Sequence, residues 1–427
     1  MSATGLSFRP DIQGLRAVAV VLVILAHAGV SGFAGGYVGV DVFFVLSGYL
    51  ITGLLLDERI ETGAIQYGHF LARRLRRLLP AMLAMLLVVL IVSAIVLTHF
   101  EMRQQSRSFP FAAAWISNFF FAFAERDYFL ALQDHDLFLH TWSLGVEEQF
   151  YLVWPWLVLL FAGFKAGAAD RQSRGRLVVA AFAIVLVASL VLSIYLSANL
   201  PLLAFYMMPS RAWQFALGSA VYASMHVAFD WRAETTGVTG SVAAWVAGSL
   251  GAVLVIGSGV VLSDDIAYPG WYALAPSLGA ALIIAAGRLS DRAALAPLLN
   301  SRIFVWIGDR SYSLYLWHWP VFILGTALGI SGTVVGKLFL VAFSLALAAL
   351  SYRYIELPFW KGRFRAAIPR RLGAHRMDRR RDHCDESGHL CPPTRIGEVI
   401  PHSMHRRITS TTFPRLCLIG LARFRTN

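Results

Sequence analysis

The chain has 427 residues, 57% of them hydrophobic and only 15% charged, with a mean hydropathy of +0.61. Soluble domains carry about 25% charge, so this composition excludes a disordered chain and an ordinary soluble globule. The formal charge of +12 comes from 37 Lys and Arg against 25 Asp and Glu, and 15 basic and 5 acidic residues of that total fall from Lys361 onward. The excess of positive charge is therefore a property of the tail, and nucleic-acid binding is not expected. All three cysteines, Cys384, Cys391 and Cys417, also lie there. The body thus has no disulfide framework, thiol nucleophile or Cys-ligated metal.

A membrane-crossing helix needs about 20 apolar residues. Apolar runs of that kind are predicted at 15–33, 37–56, 78–97, 149–164, 177–197, 203–226, 239–262, 272–287, 311–329 and 337–355. The fold expected is an all-α polytopic membrane protein, a bundle of about ten transmembrane helices. Arginine and lysine cluster at 57–77, 165–176, 288–310 and after 360, which assigns those loops and both termini to the cytoplasm. Parity then requires Phe109–Phe123 to be re-entrant or interfacial. Ala26-His27-Ala28 ends an apolar run as a signal-peptidase site would, but a second span begins at once and cleavage is not expected. From about 363 to 427 the chain is Arg- and His-rich without helical period, and reads as an unstructured tail. Its His383-Cys384…His389…Cys391 spacing fits no standard zinc set, and no metal is predicted.

Ionisable residues inside apolar spans are costly and are functional candidates by default. Arg16 and His27 share the first span, eleven residues apart, which brings them to within about 20° of one helix face and offsets them by about 16 Å. An anionic reagent with a long arm held at Arg16 would reach His27. Arg73 and Arg77 in Arg73-Arg74-Leu75-Arg76-Arg77 share a face at i,i+4 and form a paired anion clamp, or merely anchor the third span. The segment from His140 through Glu147, Glu148, Gln149 and Tyr151 opens the fourth span. Its carboxylates either cap that helix or support an imidazole across the bundle as half of a general-base pair. Asp41 in the second span needs a buried partner. His318 sits in an aromatic run, Ser311 to Pro320, and Glu356 follows Arg353-Tyr354. The body holds no Gly-rich phosphate loop, HExxH or G-x-S-x-G.

Six segments in order, FRPDIQGLRAVAVVLVILAH, GGYVGVDVFFVLSGYLIT, RRLRRLLPA, HTWSLGVEEQFYLVWP, RSYSLYLWHWP and SYRYIELPFW, resemble the membrane acyltransferase-3 family. The likeness spans residues 8–362 and is nearest to bacterial O-antigen and exopolysaccharide O-acetyltransferases. It implies transfer of an acetyl or other short acyl group from cytoplasmic acyl-CoA, a donor substrate and not a resident cofactor, to a glycan hydroxyl across the bacterial inner membrane. By position it implies His27 as base or transient acyl carrier, supported by Glu147 (the first choice) or Glu148. Arg16, Arg73 and Arg77 would engage the CoA, with Asp41, His140, His318 and Glu356 as supporting groups. Members with this opening are often fusions to an SGNH hydrolase-like domain. Here the likeness stops near Lys361, and the tail reads as unrelated sequence.

Two other readings compete. A glycan or lipid-linked sugar transporter would also carry polar groups at mid-membrane, but it needs no CoA-sized anion site, and no internal repeat is evident. An inactive truncated relative is suggested only by the tail. The partners expected are acyl-CoA, a glycan acceptor and the bilayer; nothing in the sequence specifies an oligomeric state.

Overall fold

The computed structural model describes residues 8–123, 135–162, 171–228, 238–263, 265–290 and 293–362; the tail from 363 to 427 lies outside them. Among the described residues every regular element is a helix. Seven helical stretches are long and apolar enough to cross a membrane, including those at Pro10–His27, Ala34–Thr62, Tyr67–Val96 and Thr141–Phe161. Three further predicted spans fall on shorter helices, Met208–Ala223, Leu274–Leu289 and Ser311–Ala327.

The first helix, α1 (Pro10–His27), opens with its proline in the first turn and stops at His27, because Gly29 and Gly32 adopt φ of +61° and +82°. It therefore begins and ends about a turn and a half earlier than the predicted span, and His27 is its last residue. A 3₁₀ turn at Ala34–Val38 leads directly into α2 (Gly39–Thr62). Helix α3 (Tyr67–Val96) follows, then α4 (His99–Ala113) and α5 (Ser117–Phe123). These last two hold the segment expected not to cross. Each is short, and Trp115 at φ +55° breaks the chain between them. Thr98 and Glu101 form a capping box at the start of α4.

Helix α6 (Thr141–Ala162) begins eight residues before the predicted fourth span. Glu147 and Glu148 consequently lie inside the helix and not in a capping first turn, because the preceding Trp142, Leu144 and Val146 are buried and extend the helical face backward. Helix α7 (Arg171–Asn199) is followed by a broken segment in place of the continuous span predicted at 203–226. It comprises α8 (Pro201–Tyr206) and α9 (Met208–Ala223). Extended Met207 and Pro209 set the break, since proline has no N–H to continue the helix. The remaining elements are α10 (Val238–Val261), α11 (Leu274–Leu289), α12 (Ala296–Leu299), α13 (Arg302–Asp309), α14 (Ser311–Ala327), α15 (Val334–Ser351) and α16 (Leu357–Trp360).

Helices α1 and α2 form the centre. Buried residues make up 56% and 78% of their apolar windows, against 22% for α7 and α15, whose bare faces carry residues such as Ile184 and Leu338. Close approach around α2 depends on small residues, as in membrane bundles generally. A Cβ on Gly48 would lie 2.0 Å from the Phe215 carbonyl oxygen, and one on Gly218 2.0 Å from that of Val45. The α2–α9 crossing therefore admits no side chain at either position.

Candidate active site

A cavity of about 510 Å³ opens between α1, α2, α3, α6 and α14. Its cationic end is built from Arg16 on α1 and Arg74 and Arg77 on α3, with Lys361 close by in the lining. Arg16 donates to Gln13 Oε1 at 3.2 Å. The Arg74 guanidinium lies over the Tyr151 ring, 5.0 Å from its centroid. Arg77 lies over Trp360 at 4.9 Å, and its Nε is 3.6 Å from Glu356 Oε1. Glu356 is wholly buried and accepts from Ser313 Oγ at 2.8 Å, so its charge is held in place beneath Arg77. Asp309 lines the same space, and the three planar donors that converge there keep N–H groups to spare, the geometry that suits an anionic group.

Arg73 does not join them. Its side chain is 45% exposed and reaches Glu58 at 3.5 Å, away from the cavity. The clamp expected at i,i+4 is replaced by Arg74 and Arg77 at i,i+3. Both spacings bring side chains onto one helix face, and the packing of α3 selects the second.

Glu147 lines the same cavity and accepts short hydrogen bonds from Ser47 Oγ on α2 and from the Tyr151 hydroxyl. Among the described residues its hydrogen bonds go to these two hydroxyls, and none joins it to His27. Seven residues separate it from His140, about two helical turns toward the arginines. Glu148, its half-buried neighbour on α6, is not in the cavity wall.

At the far end, Tyr315 and Ser143 close the cavity with a hydroxyl–hydroxyl hydrogen bond of 2.6 Å, and Tyr315 also donates to the His140 carbonyl at 3.0 Å. Behind this pair lie three histidines. His27 Nδ1 and His318 Nε2 are 3.0 Å apart, with ring planes at 8°. The His140 ring centroid is 5.9 Å from that of His318 and 5.7 Å from that of Tyr315, and both its ring nitrogens are buried without a partner. Trp319 meets the His27 ring edge-on at 4.6 Å and is fixed by donation from its Nε1 to the Asp136 carbonyl at 2.7 Å. Among the described residues, no group of three or more His, Cys, Asp or Glu is arranged to hold a metal ion.

Asp41 belongs elsewhere. It pairs with Arg211 at 3.0 Å and accepts from Gln214 and Tyr268, all fully or nearly fully buried. Its partners satisfy it completely within the α2–α9 core.

Sequence reasoning missed Ser47 altogether, and the hydroxyl pair formed by Ser143 and Tyr315. Nothing in a lone serine or tyrosine within an apolar run announces a contact across the bundle.

The arrangement is thus a cavity with arginines at one end and the Ser143–Tyr315 hydroxyl pair at the other, with imidazoles beyond it. A family model described as an acyltransferase domain matches residues 9–353. The chain belongs to the acyltransferase-3 family. It is 33% identical over 365 residues to the peptidoglycan O-acetyltransferase OatA of Listeria monocytogenes, an alignment covering 83% of this chain and 56% of that protein. A putative peptidoglycan O-acetyltransferase of Bacillus subtilis, YrhL, is 32% identical over 379 residues, covering 86% of this chain and 57% of its own. A putative O-acetyltransferase of Staphylococcus aureus strain MSSA476 is 33% identical over 359 residues, covering 83% and 58%. The chain therefore spans a little over half the length of these relatives. No solved structure matches it.

Proposed function

We propose that this membrane protein transfers an acetyl or other short acyl group from acyl-CoA on the cytoplasmic side of a bacterial inner membrane to a hydroxyl of an envelope or secreted polysaccharide. The observation that carries this reading is the cavity, which leads from three arginines to a gate with His27 and His318 behind it. Arg16, Arg74 and Arg77 would hold the phosphates of CoA, and its extended arm would lie along the apolar wall of Phe43, Leu46 and Leu50. The length of α1 between Arg16 and His27, about 16 Å, is of the order such an arm spans. The arginine-rich loops support a cytoplasmic position for that end by the positive-inside rule. The names of the relatives, peptidoglycan and putative O-acetyltransferases, support a glycan hydroxyl as acceptor.

In this reading His27 takes the proton of the acceptor hydroxyl. The hydroxyl oxygen bonds to the acyl carbon, the carbon–sulfur bond breaks, and His27 returns the proton to the departing thiolate. General-base catalysis of this kind contributes roughly 100- to 10,000-fold. The test is label transfer from radiolabelled acetyl-CoA to envelope glycan in inverted inner-membrane vesicles, whose outward face is the original cytoplasmic one. His27→Ala is expected to reduce transfer by that factor with the protein still present in the membrane. Undiminished transfer in this variant rejects the mechanism, and transfer seen only from right-side-out vesicles rejects the sidedness.

A further inference from the structure

His318 is wholly buried, and its Nδ1 lies 3.2 Å from the Leu314 carbonyl oxygen one turn back on α14. A carbonyl only accepts, and a lone pair facing it without water would leave two acceptors in contact, so the proton of His318 sits on Nδ1. Its Nε2 is then a bare acceptor. The atom 3.0 Å from that acceptor is His27 Nδ1, which must therefore be the donor. A neutral imidazole has one N–H, so the Nε2 of His27 carries the lone pair. Among the described residues no hydrogen bond engages that nitrogen, and His27 is only partly buried, whereas its neighbour is sealed.

We propose that His318 is the positioning residue for the acyl transfer: the relay Leu314 carbonyl, His318, His27 fixes the tautomer of His27 so that Nε2 is its reactive nitrogen. The inference rests on the reading of His27 as the base. It replaces the carboxylate that the sequence suggested for this role with a neutral imidazole 291 residues away in the chain. When Nε2 takes the hydroxyl proton, the bond from His27 Nδ1–H to His318 becomes charge-assisted and shorter. The cation is thereby stabilised without a permanent negative charge in the core. The edge-on Trp319 ring, anchored through the Asp136 carbonyl, holds the imidazole against rotation.

Two variants separate this role from mere packing. In His318→Gln the amide oxygen takes the place of Nε2 as acceptor; in His318→Leu no acceptor remains. The full chain, labelled with ¹⁵N-histidine and reconstituted in lipid vesicles, is examined by solid-state NMR, the His27 signals being those lost in His27→Gln. The wild type is expected in the Nδ1–H tautomer, retained in His318→Gln and mixed in His318→Leu. In the acetyl-CoA transfer assay, His318→Leu is expected to lower kcat by roughly 10- to 100-fold, the usual cost of removing a partner that orients a functional histidine. KM for acetyl-CoA stays unchanged, and His318→Gln recovers most of the rate. An Nε2–H tautomer in the wild type, or equal kcat losses in both variants, overturns the proposal. Full transfer by His27→Gln instead overturns the reading of His27 as the base, and does so whatever tautomer the spectra report.

Discussion

Two buried arginine systems in this bundle differ in what surrounds them. Around Arg211 the charge is answered at close range: Asp41 pairs with it at 3.0 Å, Gln214 and Tyr268 also donate to that carboxylate, the Arg211 Nε donates to the Phe205 carbonyl, and Trp142, Phe205 and Tyr268 pack around the guanidinium. Around Arg16, Arg74 and Arg77 the partners are fewer and more distant, and the three open onto a cavity of about 510 Å³. A buried charge whose bonds are closed locks a core together, whereas charges left with donors to spare around an empty volume await a ligand. Cost of burial alone does not distinguish them, since both are expensive; what distinguishes them is unspent hydrogen-bonding capacity.

The largest expected effect falls on the closed system. Asp41→Ala leaves Arg211 charged and unpaired in the core, which costs about 3–5 kcal/mol when one member of a buried pair is removed. A sharp fall in Tm of the detergent-solubilised protein is expected, with much of the loss regained in Asp41→Leu combined with Arg211→Met. If Asp41→Ala instead melts like the wild type yet transfers no acyl group, the comparison breaks, and Asp41 belongs to the active site.

The open system predicts a smaller and different effect. Losing one hydrogen-bonding guanidinium from an anion costs roughly 1.5–3 kcal/mol, so Arg74→Ala is expected to raise KM for acetyl-CoA about 10- to 100-fold with little change in Tm. Arg73→Ala, whose side chain reaches Glu58 and not the cavity, is expected to change KM less than threefold, within what an exposed pair contributes. A larger KM effect from Arg73→Ala than from Arg74→Ala would show that the α3 face in use is the one with Arg73.

Much of this was readable in the sequence, for a physical reason. Arg16 and His27 lie on one helix, so their offset and face follow from helical geometry alone, and the apolar runs located the long helices. The assignment of Arg74 over Arg73 was not readable, because both spacings to Arg77 are compatible with one face and only packing against Tyr151 and Trp360 decides between them. The surroundings of Glu147 were not readable, because α6 starts eight residues earlier than its hydropathy suggests. Within that helix its carboxylate meets Ser47 of α2, a contact across the bundle. The His27–His318 pair joins helices at opposite ends of the chain, a relation no local pattern encodes.

A third buried charge completes the comparison. Asp136, in the turn before α6, is 7% exposed, and among the described residues its donors are neutral, the Phe138 N–H at 2.8 Å and the Ser108 hydroxyl. Burial pushes its carboxyl up to about 6, from an ordinary value of about 3.9. Between those two values the folded protein holds more protons than the unfolded chain, so stability falls as pH rises through that window and levels off above about 6. The ionised form then carries a cost of order 2–3 kcal/mol. Asp136→Asn keeps an acceptor for Phe138 and removes the charge. Its Tm is expected to exceed that of the wild type by a few degrees at pH 7.5, and the gain should shrink at pH 4.5. The backbone carbonyl that anchors Trp319 is untouched by the substitution, so transfer should be unaffected. A Tm below that of the wild type at pH 7.5, recovering as the pH falls, would mean that the carboxyl finds a cation in the folded protein, making Asp136 a second closed pair like Asp41.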